Sequence, residues 1–192
     1  MIHLIYMAAG QSRRFGGNKL LSMWGDRPLY RHGLDTLRRA IADRADCHLT
    51  VVSCWAEIVS YAAEQGIDCV DCPDSHLGVS YTIRAGIRAC EPLCEGDYLC
   101  FCVADQPMLT VDSVTRLLDT AKEKPLTAGL WAGDIPGNPT LFAASLAEEL
   151  CALEGDRGGR AVMRRHPERH IGVPCEIREL EDIDYQIEKK RE

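Results

Sequence analysis

Ile2-His3-Leu4-Ile5-Tyr6-Met7-Ala8-Ala9-Gly10-Gln11-Ser12-Arg13-Arg14-Phe15-Gly16-Gly17-Asn18-Lys19 is an apolar run that opens directly into a glycine-rich basic loop. The apolar half predicts a buried strand, and the loop that follows must turn sharply at its glycines. Residues without Cβ reach positive φ cheaply, which lets the backbone approach a ligand closely. Successive exposed N–H groups then form a concave anion site, and Arg13, Arg14 and Lys19 add formal positive charge. The stretch reads as a cradle for a nucleoside triphosphate.

Two better-known phosphate loops are excluded by spacing. A P-loop needs Lys followed by Ser or Thr, whereas Lys19 stands between Asn18 and Leu20. The dinucleotide fingerprint needs G-x-G-x-x-G, whereas Gln11 and Ser12 follow Gly10. The stretch resembles instead the signature of the MobA-like nucleotidyltransferases, L-A-A-G-x-S-x-R-F-G-x-x-K-L-L, with Met7 replacing the leading Leu. That resemblance implies that Ala8, Ala9, Gly10, Ser12, Arg14 and Lys19 touch the nucleotide. Arg14 and Lys19 would also be catalytic, holding the pyrophosphate as it departs.

Length and composition bound the rest. At 192 residues the chain is most economically one domain, 1–192. Apolar residues at 46% and charged residues at 27% describe a globular protein. No run approaches a membrane span, and the first apolar run lacks the basic segment of a signal peptide, so a cytoplasmic location is expected. A net charge of −7 argues against broad nucleic-acid binding. It leaves room for an anionic small substrate, because beyond a Debye length of ~8 Å distant carboxylates are screened.

Ten cysteines are present. Cys100 and Cys102 alternate within an apolar run and read as small buried hydrophobes. Cys69 and Cys72 have metal-like spacing without a second C-x-x-C, so reduced thiols are preferred to structural zinc.

Along the chain, Leu29, Leu34, Leu37 and Ile41 recur at helical spacing over residues 28–42, with Pro28 as first helical residue. Strands are expected at 49–52, 67–70, 98–104 and 127–131, and helices at 56–65 and 111–122. Ser145 with Glu148 reads as a capping box for a helix to Leu153. Residues 177–180 look like a strand, followed by a charged C-terminal helix. Strand and helix alternating at this pitch imply a parallel sheet covered on both faces.

Five further stretches extend the resemblance across the chain. Gly78-Val79-Ser80-Tyr81-Thr82 through Gly86 matches the family's G-x-S-x-S-x-x-x-G with Thr82 for the second Ser, which implies nucleotide contacts by Ser80 and Thr82. Hydroxyls at a helix start also serve as caps, and both readings stand for Ser80. Asp105-Gln106-Pro107 closes an apolar strand, where ligands gather in open α/β sheets. The family's D-Q-P implies that Asp105 is a catalytic metal ligand, and Mg²⁺ suits a lone carboxylate completed by phosphate and water. Gly137-Asn138-Pro139 and Gly155-Asp156-Arg157-Gly158-Gly159-Arg160 resemble G-[HN]-P-x-x-F and G-D-x-G-A-R, implying acceptor contacts at Asn138, Asp156 and Arg160. Gly159 stands where Ala is usual. Asp182-Ile183-Asp184 resembles D-I-D-T-P-E-D, with Asp184 or Asp182 as second metal ligand, but Tyr185-Gln186 replaces Thr-Pro.

The expected fold is a three-layer α/β/α sandwich with a Rossmann-like, mainly parallel sheet, like that of nucleotide-diphospho-sugar transferases. The resemblance is strongest to the molybdenum cofactor cytidylyltransferases, because Ala8-Ala9-Gly10 follows their A-A-G rather than the guanylyl branch's A-G-G. It implies CTP and a phosphorylated pterin as substrates, a molybdoenzyme as receiver, and no nucleic-acid or membrane partner. The alternatives are a GTP-using or sugar-phosphate nucleotidyltransferase, a non-catalytic carrier of the finished cofactor, and an oxidoreductase, against which the missing dinucleotide fingerprint counts.

Overall fold

The computed structural model describes residues 1–10 and 18–183. Their elements are β1 (Ile2–Met7), β2 (Met23–Trp24), β3 (Arg27–Pro28), α1 (Leu29–Ala40), β4 (Cys47–Ser53), α2 (Ala56–Glu64), β5 (Asp68–Asp71) and α3 (Val79–Ala89). These are followed by β6 (Tyr98–Val103), α4 (Val111–Asp119), β7 (Thr127–Ala132), β8 (Ile135–Ala143), α5 (Ala147–Cys151), α6 (Arg160–Met163) and β9 (His170–Pro174). Seven strands form one sheet in the order β5-β4-β1-β6-β8-β7-β9, and β2 with β3 makes a separate small ribbon. β1 pairs in parallel with β4 and β6, and β4 with β5. β8 runs antiparallel to β6 and β7, and β9 runs parallel to β7. The sheet is therefore mainly parallel, as expected, with β8 reversed.

The apolar runs of β1 and β6 lack polar alternation because both of their faces are covered. Leu4, Tyr6, Cys100 and Cys102 point into a core built with α1, α2 and α4. Ile5, Leu99 and Phe101 point the other way, into a core built with α3, α5 and α6. This is the three-layer sandwich. In the register of the central strands Met7 stands opposite both Val52 and Val103, so β1, β4 and β6 end at one level. That common edge is where a crevice can open.

Several local expectations are corrected. Pro28 is the N-cap of α1, in extended conformation, rather than its first residue. Ser145 caps nothing: a 3₁₀ turn over Ala144–Leu146 leads into α5, and Leu146 takes the cap position. Gly78 is the N-cap of α3 and no hydroxyl caps that helix, which removes the capping reading of Ser80. Residues 177–180 form a 3₁₀ turn rather than a strand, because Glu176 and Glu179 make a capping box whose side chains bend the chain back on itself. α6 starts at Arg160, the last residue of the Gly155–Arg160 stretch. β9 was not anticipated; it is a short edge strand that contains Gly172 and ends at Pro174, with little alternation to read.

Candidate active site

The end of β1 is held by β4. The Ala8 amide donates to the Val52 carbonyl at 2.8 Å, and the buried Ser53 hydroxyl donates to the Ala8 carbonyl at 2.9 Å. The Cys54 thiol reaches the Ala9 carbonyl at 3.7 Å. With these carbonyls engaged on the β4 side, the chain delivers Ala9 and Gly10 to a crevice of about 350 Å³ above the strand ends. Lys19, Thr82, Asp105 and Asp156 line the same crevice.

Lys19 enters from the 3₁₀ turn Lys19–Leu21, whose Leu20 amide donates to the Asn18 side chain at 3.0 Å. Asp105 follows β6 by two residues. The Lys19 ammonium lies 2.7 Å from Asp105 Oδ2, with the two side chains only 13% and 22% exposed. Such a partly desolvated pair is stronger than a surface ion pair, yet it remains open enough for a ligand to enter. The charge of Asp105 also reaches the sheet beneath: burial first, and then this carboxylate, push the Tyr6 phenol well above its ordinary pKa.

An adjoining pocket of about 190 Å³ shares Met7, Val79 and Val103 with the crevice and is lined by Asn138, Thr140, Gly159 and Arg160. The Arg160 guanidinium donates to the Pro136 carbonyl, which ties α6 to β8. The structure thus brings Ala9, Gly10, Lys19, Thr82, Asp105 and Asp156 together, with Asn138 and Arg160 next door. Asp156, expected beside those two, lines the crevice of Lys19 instead. Ala8 and Ser80 are buried and line neither space; the Ser80 hydroxyl has no hydrogen-bond partner among the described residues. Ser12, Arg13, Arg14 and Asp184 lie outside the described residues.

Sequence reading missed Ser75 and His76, which line the crevice from a 3₁₀ turn before α3. It also missed Glu179 and gave Gln106 no role beyond its place in D-Q-P. Only the folded chain brings the segment of Glu179 to the Asp105 loop, where Gln106 Nε2 donates to the Asp182 carboxylate at 2.9 Å.

The donor chemistry fits a hard divalent cation. Asp105 offers carboxylate oxygen in a crevice already hospitable to positive charge. Among the described residues no three His, Cys, Asp or Glu side chains cluster as a metal cage; Mg²⁺ commonly completes one or two carboxylates with phosphate and water. Cys69 and Cys72 are thiols without a disulfide, and burial pushes both above the ordinary thiol pKa.

A profile of the MobA-like NTP transferase domain matches residues 4–170. The chain is 28% identical over 197 residues to the purine catabolism protein PucB of Bacillus subtilis, covering 94% of this chain and 90% of that one. It superposes on the crystal structure of Rv0371c from Mycobacterium tuberculosis with a TM-score of 0.75 at 25% identity, covering 96% and 93% of the two chains. A manganese complex of that protein aligns with a TM-score of 0.71 at 24% identity, covering 91% and 89%.

Proposed function

The chain belongs to the MobA-like NTP transferase family, and from that premise we propose that this nucleotidyltransferase moves CMP from CTP to molybdopterin with release of pyrophosphate. The observation that carries the reading is the meeting of Gly10, Lys19 and Asp105 in one crevice that continues into the pocket of Asn138 and Arg160. A nucleotide and a phosphorylated acceptor need two such adjoining spaces.

The acceptor's terminal phosphate is already an oxyanion at neutral pH, so the reaction needs no strong general base. The enzyme must align two anions and neutralise their charge. Ala9 and Gly10 present backbone to the triphosphate, and Thr82 faces the same space from the first turn of α3, whose N-terminus favours anions. Lys19 neutralises the departing pyrophosphate with Arg14. Asn138 and Arg160 orient the acceptor, and Asp156 borders the nucleotide. Asp105 would hold Mg²⁺, with Asp184 as second ligand. When bound, that ion supplies charge neutralisation and phosphate alignment. The manganese complex of Rv0371c supports a divalent ion in a related fold. One domain carries both substrates, the reaction takes place in the cytoplasm, and a molybdoenzyme receives the product.

The choice of CTP rests on Ala9, 2% exposed at the crevice wall, where a methyl group narrows the space left for a base. The test measures pyrophosphate release over a matrix of nucleotides and acceptors, molybdopterin and sugar phosphates among them. CTP with molybdopterin is the expected productive pair. Preference for GTP overturns the choice of nucleotide, preference for a sugar phosphate overturns the acceptor, and dinucleotide binding without pyrophosphate release makes the chain a carrier.

A further inference from the structure

We infer that residues 176–183 form a positioning strap for Asp105, latched by Glu179 and clasped by Gln106; the inference rests on the proposed role of Asp105 in holding a metal-bound triphosphate. Glu179 is 3% exposed. Burying a carboxylate is costly unless donors replace its water, and four donors do so. The Thr110 amide and hydroxyl lie at 3.0 and 2.7 Å, the Ser113 hydroxyl at 3.0 Å and the Glu176 amide at 3.1 Å. Thr110 already caps α4 by accepting from the Ser113 amide. Glu179 is therefore surplus to the helix cap. What it accomplishes is to fasten the strap to the positive end of α4.

From that latch the strap runs to the end of β6. The carboxamide Nε2 of Gln106, itself 3% exposed, donates to the Leu180 carbonyl at 3.1 Å and to the Asp182 carboxylate at 2.9 Å. The Ile183 amide donates to the carbonyl of Asp105 at 3.0 Å. Asp105 is thus held twice, by Lys19 at its carboxylate and by the strap at its backbone. The Leu180 side chain also presses on Gly137, a wall of the adjoining pocket. One short segment braces the acid of the crevice and the floor of its neighbour. Ligand-supporting hydrogen bonds of this kind change metal affinity by about 10- to 100-fold when lost.

The test uses the full chain with Mn²⁺ as the metal, a non-hydrolysable CTP analogue as the nucleotide, and three variants: Glu179→Gln, Gln106→Leu and Asp105→Ala. Mn²⁺ binding is followed by electron paramagnetic resonance with the analogue bound, and pyrophosphate release, with CTP and molybdopterin in place of the analogue, is followed against metal concentration. Both positioning variants are expected to bind Mn²⁺ about tenfold more weakly and to regain turnover at saturating metal. Gln106→Leu keeps the latch, so it carries the test if Glu179→Gln does not fold. A role in stability alone would lower the unfolding temperature and leave the Mn²⁺ affinity of the folded protein at the wild-type value, which overturns the strap. Retained Mn²⁺ binding and turnover in Asp105→Ala overturns instead the reading on which the strap rests.

Discussion

Gly78 and Gly155 meet backbone to backbone: a Cβ at residue 78 would lie 2.2 Å from the Gly155 carbonyl carbon, and Gly78 itself sits at φ 132°. Immediately beyond, the Ser80 amide donates to the Gly155 carbonyl at 3.0 Å. This seam joins the loop of Asp156 to the start of α3 and so closes one side of the crevice. Gly78→Ala meets overpacking worth about 1–3 kcal/mol, added to the cost of a side chain at positive φ. Urea unfolding should show a loss of at least that size. A nucleotide KM raised in the folded variant would tie the seam to binding; stability equal to wild type would contradict the contact.

Removing Asp105 separates chemistry from folding. Its side chain is 22% exposed and faces Lys19 rather than either core, so Asp105→Ala should keep its circular dichroism spectrum and lose turnover by about 10²- to 10³-fold, the scale of a lost electrostatic contact in a transition state. Steady-state pyrophosphate release checks this. A near-normal rate would take Asp105 out of the mechanism.

Gly159 stands where the resemblance predicts Ala, and the fold shows what occupies the space. A Cβ there would come within 2.8 Å of the Phe142 ring, which packs edge-on against Phe101. Gly159→Ala is expected to destabilise the chain by about 1–3 kcal/mol through overpacking. Combining it with Phe142→Leu should cost less than the two separate losses added together, as for residues in contact. Strict additivity in thermal unfolding would show that the ring gives way freely.

Nucleotide choice is expected to depend modestly on Ala9. One methyl group discriminates by about 1–3 kcal/mol, so Ala9→Gly should narrow the proposed preference for CTP over GTP without reversing every other contact. Competition of the two nucleotides in the same assay measures it, and an unchanged ratio would place discrimination elsewhere.

His170 makes the fold sensitive to acid. The Trp131 indole N–H donates to its Nε2 at 2.9 Å, which leaves Nδ1 to bear the proton shared with the Thr127 hydroxyl at 2.9 Å. A second proton would set two donors face to face, and burial holds the imidazole below its ordinary pKa. Because the folded pKa is depressed, the unfolded chain binds more protons in the window below about 6.5, and stability rises with pH there. The contribution is complete above the unfolded value and declines as pH falls through it. Unfolding free energies between pH 5 and 8 should have a smaller slope in His170→Gln than in wild type.

The sequence by itself determined the layers. Apolar runs such as Tyr98-Leu99-Cys100-Phe101-Cys102-Val103 leave no polar face, and a strand without one must be covered on both sides. The helical spacing of Leu34 and Leu37 and the acid at the end of β6 were equally local, since each depends on a few neighbours along the chain. Tertiary structure decided what meets across distance. The 2.7 Å approach of Lys19 to Asp105 spans 86 residues, and no spacing rule reaches that far. Residues 177–180 carried a strand-like pattern, but the buried carboxylate of Glu179 found its donors at Thr110 and Ser113, and those bonds favour a turn. That Asp156 lines the crevice of Lys19 while Ser80 is buried outside its lining goes with the Gly78–Gly155 seam, which joins their two segments. Local propensity is summed over neighbours, whereas a site is set by which surfaces the packed sheet leaves facing one another.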